Sequence, residues 1–343
     1  MIRVRPFDVD LADPLSTARG PIGTRRGFLV GVERAVDGDA PTRGVGEATP
    51  LPGWTESHGA CERALDGVAD PVAALDSLTD APAARHGVEH ALADARARAD
   101  GVSLAASLRE SPAASVPVNA TIGSGGVDRT VAAAEQAVDE GFACLKLKAG
   151  VDALDADVAR VRAVRDAHPD VTLRLDANGA WDRETAARAV EALADLDVAY
   201  VEQPLPADDV DGHAALRGRG VGIALDESLA TRSLEAVLAS DAADVVVLKP
   251  MVLGGPVRAA ETAERARSAG VDPVVTTTVD AAPARAAAVH VAATIPDVRP
   301  CGLGTGALLA GDVVSDPVPV VDGAVAVPDG PGTAGDAFDS LVW

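Results

Sequence analysis

Two rhythms of apolar and polar positions divide the chain. Residues 1–9 and 27–36 alternate apolar with polar, the period of strands that bury one face. Between them residues 16–26 (STARGPIGTRR) read as a loop, and residues 44–52 (GVGEATPLP) as a third extended piece. Helical spacing follows near 57–68 and 83–99. Together these predict a small α+β capping domain over 1–112. From Val116 onward short apolar runs alternate with Ala-rich amphipathic stretches. The strand candidates are 116–121, 144–148, 172–176, 201–202, 222–226, 245–249, 273–277 and 299–304. Their ends recur every 23 to 28 residues, the length of one strand, one helix and two loops. Eight such units predict a TIM-type (β/α) barrel over 113–315, in an α/β class overall, with 316–343 returning to the capping domain. A doubly wound open sheet is the rival. It usually carries G-x-G-x-x-G after its first strand, and Gly123-Ser124-Gly125-Gly126 does not match.

Composition narrows the function classes. A hydrophobic share of 48% excludes disorder. No apolar run reaches the roughly 18 residues of a membrane helix, and no charged-then-apolar leader opens the chain. Cys61, Cys144 and Cys301 are odd in number and far apart, which suits neither a disulfide framework nor a metal clip. These features predict a soluble cytoplasmic protein. The net charge of −22, with 52 acids against 30 bases, argues against nucleic acid and membranes as partners. The acids are dispersed and aromatics are only 2%, as in proteins of salty cytoplasm. Nothing here sets the oligomeric state.

Of the 30 basic residues only three are lysine, Lys146, Lys148 and Lys249, and all three fall at ends of predicted barrel strands. Function in barrels sits at those C-terminal ends. Arginine stays charged at any working pH, whereas lysine can lose its proton. Lys146 and Lys148 are two apart on a strand and face the same side. Two adjacent ammonium groups disfavour each other's charge, which would lower a pKa and produce a base. Asp176, Glu202 and Asp226 end three successive strands; at the last of these the neighbouring Glu227 is the alternative, and strand parity from Leu225 favours Asp226. Packed in one barrel mouth they repel unless a cation sits between them. Three hard oxygen ligands suit Mg²⁺, with Mn²⁺ as a substitute. Zinc would want His or Cys, and neither ends a strand. His86-Gly87-Val88-Glu89-His90 fits an inverted zinc-protease pattern, H-x-x-E-H. It lies in the first domain without a third ligand, so both histidines are read as packing or surface residues.

The order Lys-x-Lys, Asp, Glu, Asp, Lys over strands two to six resembles the enolase superfamily, muconate-cycloisomerase type. The strings that carry the resemblance are LKLK at 145–148, RLDANGAW at 174–181, VEQPL at 201–205, LDES at 225–228 and LKP at 248–250. GEATPLP at 46–52 resembles that group's capping domain. The string CGLGTG at 301–306, followed by two leucines, is most similar to the o-succinylbenzoate synthase family. Dipeptide epimerases of the group usually carry Asp-x-Asp there, and mandelate-racemase-like members a seventh-strand histidine where this chain has Thr276-Thr277-Thr278. The resemblance implies a carbon–oxygen lyase acting on a small-molecule carboxylate, with Mg²⁺ on Asp176, Glu202 and Asp226. It implies Lys148 as base and then acid, Lys249 as the enediolate's counter-cation, and Lys146 as the residue keeping Lys148 neutral. N-succinylamino-acid racemase or another muconate-cycloisomerase-type enzyme is the alternative it leaves open; a barrel that binds metal and substrate without catalysing is a further one, and a Schiff-base aldolase would not need the three carboxylates. Arg174, Asn178, Thr277, Gly304 and the 16–26 loop, as a lid, are candidates for substrate contact.

Overall fold

The computed structural model describes residues 2–17, 20–34 and 42–343. An antiparallel sheet comes first: β1 (Ile2–Thr17), β2 (Gly20–Arg34) and β3 (Thr42–Ala48), in that order. Residues 18–19 of the expected loop lie outside the described residues, as do residue 1 of the expected first strand and residues 35–36 of the expected second. The rest of the loop is not a loop. β1 runs on to Thr17, so Gly20, Ile22 and Thr24 pair with Thr17, Leu15 and Asp10 in a long hairpin. Helices α1 (His58–Asp66), α2 (Pro71–Ser77), α3 (Pro82–Ala99) and α4 (Leu104–Leu108) follow. The α3 helix packs on β3, where a Cβ at Gly46 would stand 2.2 Å from the Gly87 carbonyl oxygen. That approach admits only glycine.

The first predicted barrel strand is two pieces. β4 (Ser115–Pro117) pairs outward, and β5 (Ala120–Ile122) joins the barrel. Then strands and helices alternate: α5 (Val127–Asp139), β6 (Cys144–Lys148), α6 (Leu154–Ala167), β7 (Thr172–Asp176), α7 (Arg183–Ala194), β8 (Val198–Glu202), α8 (Val210–Leu216), β9 (Gly222–Leu225), α9 (Glu227–Thr231), α10 (Leu234–Ala239), β10 (Val245–Leu248), α11 (Pro250–Leu253), α12 (Pro256–Ser268), β11 (Asp272–Val275) and α13 (Ala282–Ala293). Strands β5 to β11 form one parallel sheet in sequence order. The expected eighth strand is reduced to two parallel bridges, Val118 with Cys301 and Thr276 with Gly302. They nevertheless join the first strand to the seventh and close the barrel. Buried Leu145, Leu147, Leu173, Leu175, Val201, Ile223 and Leu225 occupy alternate strand positions. The helices bring matching stripes, such as Ala186, Ala189, Val190 and Leu193 on α7.

Glutamates of the first domain hold it to the barrel. Glu47 of β3 accepts the backbone N–H groups of Ala281 and Ala284, both at 2.9 Å, at the start of α13. Glu89 of α3 accepts those of Val257 (2.9 Å) and Arg258 (3.3 Å) at the start of α12. A carboxylate at a helix N-terminus meets unpaired donors and the positive end of the helix dipole. Gly255 makes the second contact possible, because a Cβ there would stand 1.8 Å from Glu89 Oε2. β12 (Val320–Val321) and β13 (Ala324–Ala326) form a hairpin that reaches β4. The chain then returns to α3 and α4, with Leu104 donating to the Gly332 carbonyl and Arg98 pairing with Asp339.

Candidate active site

Register brings the strand-end residues together. Lys148 lies beside Asp176, and Asp176 beside Glu202, on β6, β7 and β8. Residues two apart on a strand share a face, so Lys146, Arg174 and Tyr200 form the layer beneath. Asp226 follows β9 and Lys249 follows β10. Asp176, Glu202 and Asp226 are all buried. Lys146 Nζ lies 2.7 Å from Glu202 Oε1 and 2.9 Å from Asp176 Oδ2. Lys148 Nζ lies 2.7 Å from the same Asp176 oxygen and donates to Asn178 Oδ1 at 2.8 Å. Lys249 is ion-paired with Asp226. The three lysines differ in access: the side chain of Lys148 is 35% exposed, against 17% for Lys146 and 9% for Lys249.

Electrostatics corrects one expectation. The paired lysines do not lower Lys146. Burial opposes its charge, but Asp176 and Glu202 outweigh burial and hold Lys146 well above the usual lysine range. Asp176 bridges the two ammonium groups instead of leaving them to repel. Burial also works against the Asp176 carboxylate, yet Lys146 and Lys148 together hold it below its ordinary value. Burial prevails at Glu202, which is pushed up to about 7 despite Lys146. It prevails at Asp226 too, which is raised despite Lys249.

Two of those carboxylates are thus short of positive charge, and all three are hard oxygen donors. That donor set fits a divalent cation such as Mg²⁺. In this arrangement each acid has turned onto a lysine, and among the described residues no three acids, histidines or cysteines close up enough to hold an ion.

The candidates for substrate contact divide. Asn178 stands in the mouth, touching Lys148. Thr277 bonds Thr305 Oγ1 at 2.7 Å and so ties the seventh loop to the eighth. Gly304 opens a 3-10 turn (Gly304–Leu308) near Val118 and Val320. Arg174 does not reach the mouth. It is 1% exposed, donates to the Pro300 carbonyl at 2.5 Å and stacks 4.7 Å over the Tyr200 ring. Alternation gives its face correctly but not its depth, one layer below Asp176. His86 and His90 are buried packing residues, edge to face at 5.6 Å. His86 Nδ1 meets the Glu47 carbonyl and His90 Nε2 the Thr333 hydroxyl.

One residue of the site was missed in the sequence. Trp54, from the first domain, places its ring 3.8 Å from Lys249 Nζ, within cation–π range. The turn that aims it is closed by N–H bonds from Trp54 and Thr55 to the Leu51 carbonyl. One of three tryptophans in a chain with 2% aromatics, set in a Pro-Gly turn, was the available signal.

Residues 129–336 match the family described as enolase C-terminal domain-like. A stretch of 220 residues is 42% identical to an o-succinylbenzoate synthase of Thermobifida fusca, covering 62% of this chain and 66% of that protein. The chain thus spans just under two thirds of that relative. A second o-succinylbenzoate synthase, of Mycolicibacterium smegmatis, is 38% identical over 234 residues, 66% and 70% of the two chains. Among solved structures, a dipeptide epimerase of Methylococcus capsulatus, complexed with Mg and the dipeptide L-Arg-D-Lys, superposes with a TM-score of 0.83 at 29% identity over 97% and 98% of the chains. Among the described residues no helix is long and apolar enough to cross a membrane. The six charged residues Lys146, Lys148, Asp176, Glu202, Asp226 and Lys249 all fall inside the matched segment, and the chain belongs to the enolase C-terminal domain-like family.

Proposed function

We propose that the protein is a Mg²⁺-dependent o-succinylbenzoate synthase of menaquinone biosynthesis, a lyase that dehydrates 2-succinyl-6-hydroxy-2,4-cyclohexadiene-1-carboxylate to 2-succinylbenzoate. The observation that carries the chemistry is the asymmetry of the lysines. Lys148 is the one in reach of the open mouth, while Lys249 is buried and paired four strands further round the eight-position barrel. The two synthases at 42% and 38% identity support the choice of substrate.

A divalent ion held by Asp176, Glu202 and Asp226 would supply Lewis-acid neutralisation of the substrate carboxylate. The rest falls to side chains. Lys148 takes the proton α to the carboxylate, leaving an enediolate whose charge faces the Lys249 cation. The Lys148 ammonium then returns that proton to the departing hydroxyl. The carbon–oxygen bond breaks, the ring double bond forms and water leaves, with aromaticity driving the step. Lys146, held cationic by two acids, supports the carboxylate region and exchanges no proton. Lys249 and Lys148 on opposite sides are also the parts of an N-succinylamino-acid racemase.

The test is to supply the cyclohexadiene carboxylate and follow the absorbance of the aromatic product. Turnover should need Mg²⁺, vanish on chelation and return when Mg²⁺ is restored. Full activity in a chelated sample would contradict the metal assignment. Racemisation of N-succinylamino acids without dehydration would favour the racemase.

A further inference from the structure

The half-buried Glu227 has no part in the chemistry above. Its Oε1 accepts Asn178 Nδ2 at 3.0 Å, and among the described residues its buried Oε2 has no hydrogen-bond partner. The other end of the Asn178 amide, Oδ1, accepts Lys148 Nζ at 2.8 Å. The backbone around Asn178 is fixed as well. Its φ is 45°, its N–H donates to Asp176 Oδ1 at 3.1 Å, and Gly179 N–H donates to the Gln203 carbonyl at 2.7 Å.

We propose that Glu227 and Asn178 are a positioning pair for Lys148. A carboxylate can only accept, so Glu227 forces the amide nitrogen of Asn178 towards itself. The amide oxygen must then face Lys148. A flipped amide would present N–H groups to an amine whose lone pair has to meet the substrate. An amide oxygen can hold Nζ in both protonation states, because it takes an N–H from an amine and an ammonium alike. Asp176, the other partner of Lys148, is a carboxylate that a divalent ion would claim. Asn178 is then the acceptor left to aim Nζ. The pair rests on the reading of Lys148 as the base, and its geometry can also be read without turnover.

The experiment uses Glu227→Gln, nearly isosteric but able to donate to Asn178 and release the flip, and Asn178→Gly, which removes the amide and tolerates the left-handed backbone. With Mg²⁺ and the cyclohexadiene substrate, kcat should fall roughly 10- to 100-fold in each, as expected for a misaimed base. KM and the Mg²⁺ concentration for half-activation should stay close to wild type. Independently, the chain has only three lysines, so acylation by a small amine-reactive anhydride, with release of its carboxylate, can be followed at Lys148 by peptide mass spectrometry. Labelling of Lys148 should rise several-fold in both variants and that of Lys146 should not. Wild-type kcat in both variants, or unchanged Lys148 labelling, would overturn the proposal. So would a large rise in the Mg²⁺ requirement of Glu227→Gln, since Glu227 would then be a metal ligand. If the wild-type protein fails to turn over the substrate, the functional reading falls, while the labelling result still decides the pair.

Discussion

At the scale of single residues, Lys148 and Glu202 each make a prediction. The chain uses arginine for nearly every cation, yet keeps lysine at 148. Arginine would preserve the charge beside Asp176 but cannot be deprotonated at working pH. Lys148→Arg should therefore lose turnover by at least the 10²–10⁴-fold typical of a positioned acid or base, about the upper end since it serves twice. Retention of a tenth or so of turnover, against that typical loss, would move the base elsewhere. Glu202 governs pH. Its carboxyl is pushed from an ordinary 4.5 to about 7 by burial. Between those pH values the folded protein holds a proton that the unfolded chain has released, so stability falls as pH rises through this window. Glu202→Gln should flatten that part of the profile. The check is the thermal midpoint of metal-free wild type and variant at pH 5 and pH 8, where a larger fall in the wild type is expected. Added Mg²⁺ should raise the wild-type midpoint more at pH 8, because the proton it displaces is already gone.

At the scale of elements, the Glu47 clamp decides whether the first domain completes the site. Its carboxylate serves two N–H groups at the start of α13, one on each oxygen. Two residues on, Thr49 and Pro50 offer carbonyls to buried Arg25, which also grips the Val279 carbonyl. Trp54 rides on the same segment. Glu47→Ala leaves the Ala281 and Ala284 N–H groups unmet, removes the acceptor of the Thr49 hydroxyl, and should destabilise by roughly 2–4 kcal/mol in urea unfolding. Glu47→Gln keeps one acceptor oxygen and should fall between. This clamp was not legible in the sequence, because Glu47 meets a partner 234 residues away, and Trp54 offered only its rarity and its Pro-Gly turn as a signal. What was legible is local. The apolar runs of β6 to β11 and the polar residues ending them repeat at a regular step, and alternation alone puts Lys146 with Lys148. The eighth strand was overread. Its string is glycine-rich, and only Cys301 and Gly302 pair with neighbours. Arg174 failed for another reason: periodicity reports face, and its layer depends on strand stagger.

At the scale of the whole molecule, acids exceed bases, and among the described residues the excess reaches the interior, where Glu47, Asp94 and Asp280 are buried along with the site carboxylates. The lysines are committed to the barrel mouth, and 52 acids face 30 bases in total. One-to-one pairing would still leave 22 acids without a base, and the folded state carries a self-repulsion that the expanded chain relieves. Added salt acts on two terms of opposite sign. It weakens exposed pairs such as Arg265 with Glu235 and Arg26 with Asp8. Each such pair contributes only about 0–1 kcal/mol. It also screens repulsion among the unmatched acids, as the Debye length shrinks from roughly 10 Å at 0.1 M to 3 Å at 1 M. With an excess of 22 negative charges the second term is the larger. The thermal midpoint of the metal-free protein at neutral pH should therefore climb with KCl over that range. A variant with several dispersed surface acids neutralised, for example Asp128, Asp139 and Glu140 on and beside the outward face of α5, should climb less. A midpoint that stays flat or falls with KCl in the wild type would show that the acids are locally compensated, and the excess charge would then have no bearing on folding.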